Sequence, residues 1–227
     1  MGKNHLKLIA APKTWHVRRK EKKYIMRPHP GPHSLESCLT LNAILIDYLH
    51  VAQTKKEATY ILQAGKVKVN GIVRKDNAFG AGVMDVVSIE SIGRHCRIII
   101  NKKGSLAVQD IDEKEAGIRP CKIIGKSFVK GKMVLNFSDG TNKRVDKDVY
   151  RIGDTLLIDA KKDIVDHVKL EKGCLILLTQ GKHRGVRGKI EQIEGNNIIY
   201  RVNESEVFQT LKRYALVIGK DTELITA

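Results

Sequence analysis

The sequence predicts a multidomain α+β protein: a small helix–helix–hairpin domain, a β-rich central domain and a small C-terminal β-barrel. Two amphipathic helical patterns lead into an Asn-Gly turn, short strand-like runs follow Gly93, and a final apolar run enters a glycine-rich loop. A basic arm precedes the helices. The predicted segments are residues 1–33, 34–92, 93–170 and 171–227.

The charge balance of the chain indicates a polyanionic partner. Forty-one Lys and Arg against 25 Asp and Glu give a net charge of +16 over 227 residues, which favours nucleic acid over a small-molecule substrate. The longest apolar runs, such as Leu175 to Leu178, are too short to span a membrane. The uninterrupted apolar run before Pro12, from Leu8 to Ala11, has only four residues, too few for a signal peptide. We therefore expect no membrane partner and no small-molecule substrate.

The leading arm carries half of the excess charge. Residues 1–33 hold nine basic residues and one acid, Glu21, and their prolines interrupt any long helix. We expect the arm to become ordered on RNA. Trp15 could stack on a base or anchor the arm to a protein core, and the sequence does not decide which. The cations predicted from this charge to contact RNA are Lys3, Arg18, Arg19, Lys20, Lys22 and Lys23.

Two helices are predicted after the arm. Apolar residues recur at helical spacing from Leu41 to Leu49, with Thr40 available as N-cap. The second helix begins at Thr54-Lys55-Lys56-Glu57, a capping box in which the hydroxyl and the carboxylate satisfy backbone amides. Gly65 is placed to end that helix.

A hairpin follows the second helix. Residues 67–74 alternate around Asn70-Gly71, the pair typical of a type I′ turn. Lysines at the positive end of the second helix dipole, together with cations of the hairpin, predict a phosphate-binding surface. Each lysine taken singly could equally serve only solubility. The predicted contacts are Lys55, Lys56, Lys66, Lys68 and Arg74.

Residues 54–58 and 65–71 together resemble the S-four RNA-binding domain. That domain occurs in ribosomal proteins, pseudouridine synthases, tyrosyl-tRNA synthetases and heat-shock proteins that handle ribosomal RNA. The resemblance implies RNA binding without identifying the function.

The middle of the chain reads as short strands separated by turns, at 96–101, 106–109, 133–137, 142–145 and 155–159. This pattern is typical of a small barrel or sandwich. Residues 105–171 carry thirteen basic and twelve acidic residues. We therefore expect a scaffold or spacer with weaker RNA contact.

The basic loop near the end lies between two strand-like runs. Gly181, Gly185 and Gly188 permit positive φ angles and close backbone approach, and no acid occurs between Gln180 and Ile190. The loop lacks the sequence and the following helix of a nucleotide-binding P-loop. It resembles the KOW motif, which implies an SH3-like barrel that contacts RNA. The predicted contacts are Lys182, His183, Arg184, Arg187 and Lys189.

The order of these segments resembles the archaeal and eukaryotic small-subunit ribosomal protein four-e family along almost the whole chain. The resemblance rests on residues 5–7, 10–15, 31–33, 82–86, 153–158 and 181–185. It implies a cytoplasmic structural component of the small ribosomal subunit, bound to small-subunit rRNA and neighbouring ribosomal proteins, with no catalysis and no cofactor. It adds His5, Lys7 and Lys13 to the expected RNA contacts. The short end of the chain is typical of archaeal members.

Two other functions remain open on the residues alone. An RNA-modifying enzyme would need an acid in a pocket, and the available aspartates, such as Asp154 and Asp163, lie in turn-like surroundings. A transcription or translation factor would visit RNA transiently through the KOW-like barrel.

No metal site is expected. His29 and His33 are separated by Pro30-Gly31-Pro32, which forbids a helix that would align them. The four cysteines are isolated in sequence, which predicts buried thiols rather than a zinc site or disulfides. They are Cys38, Cys96, Cys121 and Cys174.

Overall fold

The structure is a computed structural model that describes residues 5–146, 148–160, 163–203 and 206–220. The chain divides into two compact units. The first comprises Met1–Ile99 and Ser105–Ala116, and the second comprises Ile100–Gly104 and Gly117–Ala227. Short antiparallel strands dominate both units. Helices are few, and none in the described part of the chain is long and apolar enough to cross a membrane.

From His5 onward, the first unit contains short strands, short helices and two 3₁₀ turns, at Leu8–Ala10 and Leu35–Ser37. The strands and helices are β1 His5–Lys7, β2 Tyr24–Met26, β3 Cys38–Thr40, α1 Leu41–Ala43, α2 Lys55–Gln63, β4 Val67–Val69, β5 Ile72–Val73, β6 Gly80–Gly82, β7 Val86–Ile89, β8 Arg94–Ile100, β9 Leu106–Asp110 and α3 Glu113–Ala116. They form three small sheets, with strand orders β1-β2, β3-β6 and β5-β4-β7-β8-β9.

The strands on either side of Gly93 pair within one sheet of this unit. Strand β8 runs antiparallel to β7, with Val86 opposite Arg97 and Ile89 opposite Arg94. Gly93, at φ +65°, lies in the turn between them. Two strands predicted for the middle of the chain, β8 and β9, therefore complete a sheet that begins with the β4–β5 hairpin.

The helix predicted from Leu41 to Leu49 is α-helical only in its first turn. Thr40 caps it by accepting a hydrogen bond from the Ala43 amide at 3.2 Å, as predicted. The following residues, Ile44–Tyr48, form a π-helical turn, which is wider than an α-helical one. The tyrosine hydroxyl of this turn accepts a hydrogen bond from the His16 amide at 3.0 Å, so the turn also holds part of the arm.

The arm packs against the rest of the first unit. Trp15 is only 3% exposed, and Leu8 is 4% exposed. The Thr14 carbonyl accepts from the Leu106 amide at 2.7 Å, and the Thr14 hydroxyl donates to the Glu36 carbonyl at 2.8 Å. Trp15 therefore anchors the arm in the protein core, and its buried ring is not available to stack on a base.

Asp85 joins three segments of the first unit. Its carboxylate is almost fully buried and accepts from the Asn70 side-chain amide at 2.8 Å and the Gly82 backbone amide at 2.7 Å. His33 Nε2 lies 3.1 Å away. Burial alone would raise the pKa of Asp85, but the hydrogen bond and charge of His33, with the Asn70 and Gly82 donors, hold that pKa below its ordinary value.

Gly82 allows the His33 ring to approach this carboxylate. A Cβ atom at Gly82 would overlap the His33 ring, so any larger residue would displace the ring. Asn70 occupies the tight turn between β4 and β5 at φ +51°, and its side-chain oxygen accepts from the Val86 amide at 2.9 Å. One buried carboxylate thus orients the arm and the β4–β5 turn on β6 and β7.

The second unit is built from ten strands and a 3₁₀ turn at Lys212–Tyr214 among the residues that are described. The strands are β10 Ile118–Val129, β11 Lys132–Phe137, β12 Asn142–Val145, β13 Thr155–Asp159, β14 Ile164–Val168, β15 Leu175–Leu178, β16 Arg187–Glu194, β17 Asn197–Asn203, β18 Glu206–Leu211 and β19 Ala215–Gly219. They form two five-stranded antiparallel sheets, with orders β12-β11-β10-β13-β14 and β18-β17-β16-β15-β19.

Each sheet of the second unit has its own apolar core. Leu135 and Leu156 lie in the core of the first sheet, and both are fully buried. Ile176 and Ile198 lie in the core of the second sheet and are equally buried. The two cores are separate clusters, but Val168 of β14, a strand of the first sheet, packs into the core of the second.

A buried lysine connects the two sheets. Lys122 of β10 is 7% exposed, and its ammonium donates to the carbonyls of Lys212 and Arg213, each at 2.9 Å. Burial, and then the charge of Lys212, lowers the pKa of Lys122 to about 8. Because its partners lie just before β19, this one ammonium group ties the first sheet to the edge of the second.

The loop between β15 and β16 depends on close backbone approach. Gly185 has φ +84°, and a Cβ atom there would overlap the Asn101 carbonyl oxygen. Gly188 lacks a positive φ, but a Cβ atom there would lie 2.7 Å from the Arg201 carbonyl oxygen. Because these two glycines have no side chain, the backbone of the loop can pack directly against residues 101–104 and against β17.

Replacing Asp85 should be strongly destabilising. Asp85→Asn places an amide nitrogen among donors and leaves them partly unpaired, so we expect the free energy of unfolding to fall by about 3 kcal/mol. Asp76→Asn is the matched control, because Asp76 faces His29 at 3.6 Å in a largely exposed pair; it should change stability by less than about 0.5 kcal/mol. Urea denaturation of both variants gives the comparison.

Asp85→Asn should also change how the free energy of unfolding decreases at acidic pH. Because folding lowers the pKa of Asp85, its contribution is complete above its unfolded pKa, about 4, and is lost as the pH falls through the lower folded value. Between about pH 5 and about pH 2, the free energy of unfolding should therefore decrease less for the Asp85→Asn variant than for the unchanged chain. Parallel pH profiles for the two proteins would refute this role of Asp85.

Gly185→Ala should destabilise the second unit more than Gly195→Ala. Gly195 also has a positive φ, +57°, but nothing lies within 4 Å of its added Cβ. That control should cost roughly 1–2 kcal/mol of backbone strain, whereas Gly185→Ala adds the overlap with Asn101, worth roughly 1–3 kcal/mol more. Equal losses in chemical denaturation would show that the loop can move away from residues 101–104.

Candidate nucleic-acid interface

The first turn of α2 presents two exposed lysines, Lys55 and Lys56. The predicted capping box is confirmed: Thr54 accepts from the Glu57 amide at 3.3 Å, while the Glu57 carboxylate accepts from the Gln53 amide at 2.8 Å and the Thr54 hydroxyl at 3.0 Å. The Gln53 amide first, and then the Thr54 hydroxyl, hold the pKa of Glu57 below its ordinary value. Among the described residues neither lysine forms an ion pair, so both ammonium groups can meet phosphates at the positive end of the helix.

Tyr60 extends this surface and was not predicted from the sequence. Its side chain is 74% exposed, one helical turn after Lys56. The sequence could have indicated it, because Tyr60 follows Lys56 at helical spacing and lies outside the apolar face that contains Ala58 and Leu62. A cation and an aromatic face side by side suit a phosphate and a neighbouring base.

The hairpin cations divide into exposed and engaged residues. Lys66 is exposed. Lys68 forms an ion pair with Glu90, and the Arg74 guanidinium lies 4.5 Å from the centre of the Phe79 ring. Lys68 and Arg74 thus have partners within the protein, and Lys66 is the more available of the three.

The arm cations divide in the same way. Lys7, Lys13, Arg18 and Lys20 are exposed, as is His5, whose ring packs edge-on against the ring of the neighbouring strand β2 at 5.7 Å. Lys3 lies outside the described residues.

Three other predicted arm contacts have partners within the protein. Arg19 donates to two backbone carbonyls of the segment 9–12, at 3.0 and 3.2 Å, which makes it a structural clamp. Lys22 lies 3.7 Å from an Asp47 oxygen, and the Lys23 ammonium lies 5.5 Å from the ring centre of the residue that follows it. Lys22 and Lys23 are still exposed and keep access to a phosphate.

The basic loop and a neighbouring turn together form the cationic surface of the second unit. The turn at residues 101–104 touches the loop at Gly185, and its two lysines were missed by the loop prediction. They are far from the loop in sequence, so only the tertiary structure brings them beside it. The exposed cations of this surface are Lys102, Lys103, Lys182, Arg187 and Lys189.

Two of the predicted loop contacts fix the shape of the loop. The His183 ring packs 4.5 Å from the ring of Phe208 in β18, so it holds the loop against that strand. Arg184 is half-buried, and its backbone carbonyl faces Gly104, where an added Cβ would lie 3.4 Å away. The loop therefore combines outward cations with side chains that determine its path.

No side-chain arrangement in the described residues indicates metal binding or a reactive thiol. No group of three His, Cys, Asp or Glu residues could hold a metal ion in that part of the chain. Burial, with the charge of Asp85, raises the pKa of Cys38 to about 11, and burial raises that of Cys96 to about 12. All four cysteines are buried free thiols, as predicted.

Asp154, one of the candidate catalytic acids, has a structural role. It is 3% exposed, and its carboxylate accepts from the Leu170 and Arg151 amides, each at 3.0 Å, with His167 Nε2 at 2.8 Å. Burial would raise its pKa, but these donors hold the pKa below the ordinary value. The carboxylate therefore fixes the start of β13 and the end of β14 rather than facing a substrate.

Comparison with known proteins identifies three matching family models. Ribosomal family S4e matches residues 92–165, the RS4NT (NUC023) domain matches residues 1–36, and the S4 (S-four) domain matches residues 41–87. The three matches cover the arm, the region of α2 and the strands that follow.

Relatives and a solved structure match over most of the chain. Small ribosomal subunit protein eS4 of Methanothermobacter thermautotrophicus is 38% identical over 99% of this chain and 96% of its own length, and that of Methanococcus vannielii is 32% identical over 99% and 97%. The crystal structure of 30S ribosomal protein S4e from Thermoplasma acidophilum has a TM-score of 0.70 at 28% identity, covering 81% of this chain and 96% of that one. The chain belongs to the small ribosomal subunit protein eS4 family.

Proposed function

We propose that this chain is a structural constituent of the cytoplasmic small ribosomal subunit, where it binds and stabilises small-subunit rRNA beside neighbouring ribosomal proteins. Its relatives carry the name small ribosomal subunit protein eS4, and residues 41–87 match the S4 domain. The observation that carries the proposal is the pair of exposed cationic surfaces, one on each unit. The family is one of structural ribosomal proteins, and the chain is not an enzyme.

The surface on the first unit contacts the RNA backbone through Lys55, Lys56 and Lys66, with Tyr60 beside them. Helix α2 and the β4–β5 hairpin form the small helix–hairpin RNA-binding module within residues 34–92. The helix dipole favours a phosphate at the start of α2, and the exposed phenol ring adds a stacking face.

The basic arm, residues 1–33, extends this surface. Its exposed cations, among them Lys7, Lys13 and Arg18, contact further phosphates. The buried Trp15 and the clamp made by Arg19 support this role, because they give the arm a defined path along the first unit.

The surface on the second unit belongs to a small SH3-like barrel of KOW type, residues 171–227. The β-rich middle of the chain, residues 93–170, precedes it; its strands β8 and β9 belong to the first unit and its strands β10 to β14 to the second. Five antiparallel strands and a separate apolar core support this assignment. The loop cations lie beside Lys102 and Lys103, whose turn packs against the loop. Five exposed cations, three on two adjacent turns and two at the start of β16, suit a continuous run of phosphates.

Co-sedimentation tests the proposal. The protein should travel with the small subunit in a sucrose gradient at low magnesium, in one copy per subunit. With about eight phosphate contacts, purified protein should lose roughly four decades of affinity for small-subunit rRNA over a fourfold rise in salt. Recovery only in the soluble top fractions would exclude a ribosomal constituent and would favour a factor that visits RNA transiently.

The double variant Lys55→Gln/Lys56→Gln should weaken rRNA binding and lower the salt slope by about 1.4–1.8, because two phosphate contacts are lost. Lys114→Gln is the matched control, since Lys114 is an exposed lysine beside Glu113 and Glu115 in α3. It should leave affinity and slope unchanged. Filter binding at several potassium concentrations gives the affinity and the salt slope. Equal slopes for the double variant and the unchanged chain would show that α2 does not contact the RNA.

A further inference from the structure

The hairpin between β10 and β11 carries a lysine in an unusual backbone conformation. Val129 pairs with Lys132, so Lys130-Gly131 is a two-residue loop. Lys130 has φ +51° and Gly131 has φ +74°. Positive φ at both central residues defines a type I′ turn.

The β4–β5 hairpin uses the same kind of turn with a different residue. Asn70 has φ +51° and Gly71 has φ +79°. Asparagine and glycine tolerate left-handed φ values, whereas a lysine incurs a cost of roughly 1 kcal/mol or more. The conformation of the turn therefore does not explain why a lysine occupies position 130. A function for the positive charge at the tip of the hairpin would explain it.

An exposed aromatic ring lies beside this lysine. Phe128, the second residue before Lys130, is opposite Met133 on β11. Its side chain is 75% exposed, whereas Met133 is 8% exposed. The Phe128 ring therefore contributes little burial to the core of its sheet, and its faces are accessible to a flat ligand.

The two strands of the hairpin carry only basic charge. The sequence contains no acid from Gly117 to Ser138, and Lys130 and Lys132 are both exposed beside the turn. Lys126 forms an ion pair with Asp148, so it contributes less to the net charge. Phe128 pairs with Met133 and Lys132 pairs with Val129, so Phe128 and Lys132 project from opposite faces of the hairpin, with Lys130 at its tip. An exposed aromatic face and exposed cations on one hairpin match the recognition of a nucleic-acid strand, whose bases stack while its phosphates meet the cations.

We propose that the β10–β11 hairpin is a third rRNA contact, in which Phe128 stacks on an unpaired base, Lys130 at the tip binds a neighbouring phosphate, and Lys132 meets the phosphate backbone from the opposite face. This inference rests on the proposed rRNA binding and extends it to the near-neutral middle of the chain, where weaker contact was expected. A neighbouring ribosomal protein is the competing occupant. Two lysines at the tip favour the polyanion, because they would remain unpaired against an apolar protein surface.

Substitutions at two positions test the hairpin with small-subunit rRNA transcribed from an archaeal relative. Phe128→Leu keeps an apolar side chain but removes the ring, and it should weaken affinity roughly tenfold, within the range for loss of one stacked base. Phe128→Trp keeps a stacking face and should bind within about twofold of the unchanged chain.

Lys130→Asn separates charge from folding. Asparagine suits the turn better than lysine, so the melting temperature should stay equal or rise, while the salt slope of rRNA binding should fall by about 0.7–0.9. A variant that keeps its fold yet loses one phosphate contact would support the proposal directly.

The outcomes distinguish this inference from the proposed function. Normal rRNA binding by the unchanged chain together with normal binding by Phe128→Leu and Lys130→Asn would overturn the hairpin contact alone, and would leave the hairpin to a protein neighbour. Absence of rRNA binding by the unchanged chain at low salt would overturn both.

Discussion

The buried carboxylate of Asp85 is the interaction on which the first unit depends. A charged group with almost no exposure is stable only when donors surround it, and here the donors come from three separate segments. Because His33 ends the arm and Asn70 forms the β4–β5 turn, satisfying one carboxylate also sets where the arm and the hairpin lie. Gly82 is part of the same constraint, since only a residue without a Cβ leaves room for the His33 ring.

In the second unit, the close approach of two backbone segments determines where the cationic side chains lie. Gly185 brings the basic loop onto the turn at residues 101–104, and this contact places Lys102 and Lys103 beside the loop cations. A cationic surface of this kind needs no catalytic group and no cofactor. Its affinity comes from the number and spacing of charges, which the packing of two turns determines.

The charge excess divides into structural and available cations. Arg19 clamps backbone carbonyls, Lys68 forms an ion pair, and Lys122 is buried between two sheets. Lys55 and Lys56, by contrast, lie exposed at the start of a helix. Net charge alone therefore overstates the number of residues that can meet RNA, although it indicates the class of partner.

Local patterns allowed the sequence to predict much of the first unit. The Thr54–Glu57 capping box and the Asn70-Gly71 turn act within a few residues, so their chemistry is readable without the fold. The π-helical turn after Ala43 was not predictable, because an apolar repeat does not distinguish a regular helix from one that widens. The pairing of the strands around Gly93 was not predictable either, because a partner strand is not encoded in any one strand.

The sequence by itself determined the partner class, the family resemblance and the short elements whose signals are local. Only the tertiary structure decided that Trp15 is buried, that Arg19 and Lys68 are engaged, and that Lys102 lies beside the loop. The physical reason is that exposure and pairing depend on residues distant in the chain. The sequence does not show whether the ammonium group of a lysine faces a carboxylate, a carbonyl or water. The fold determines which of these it faces.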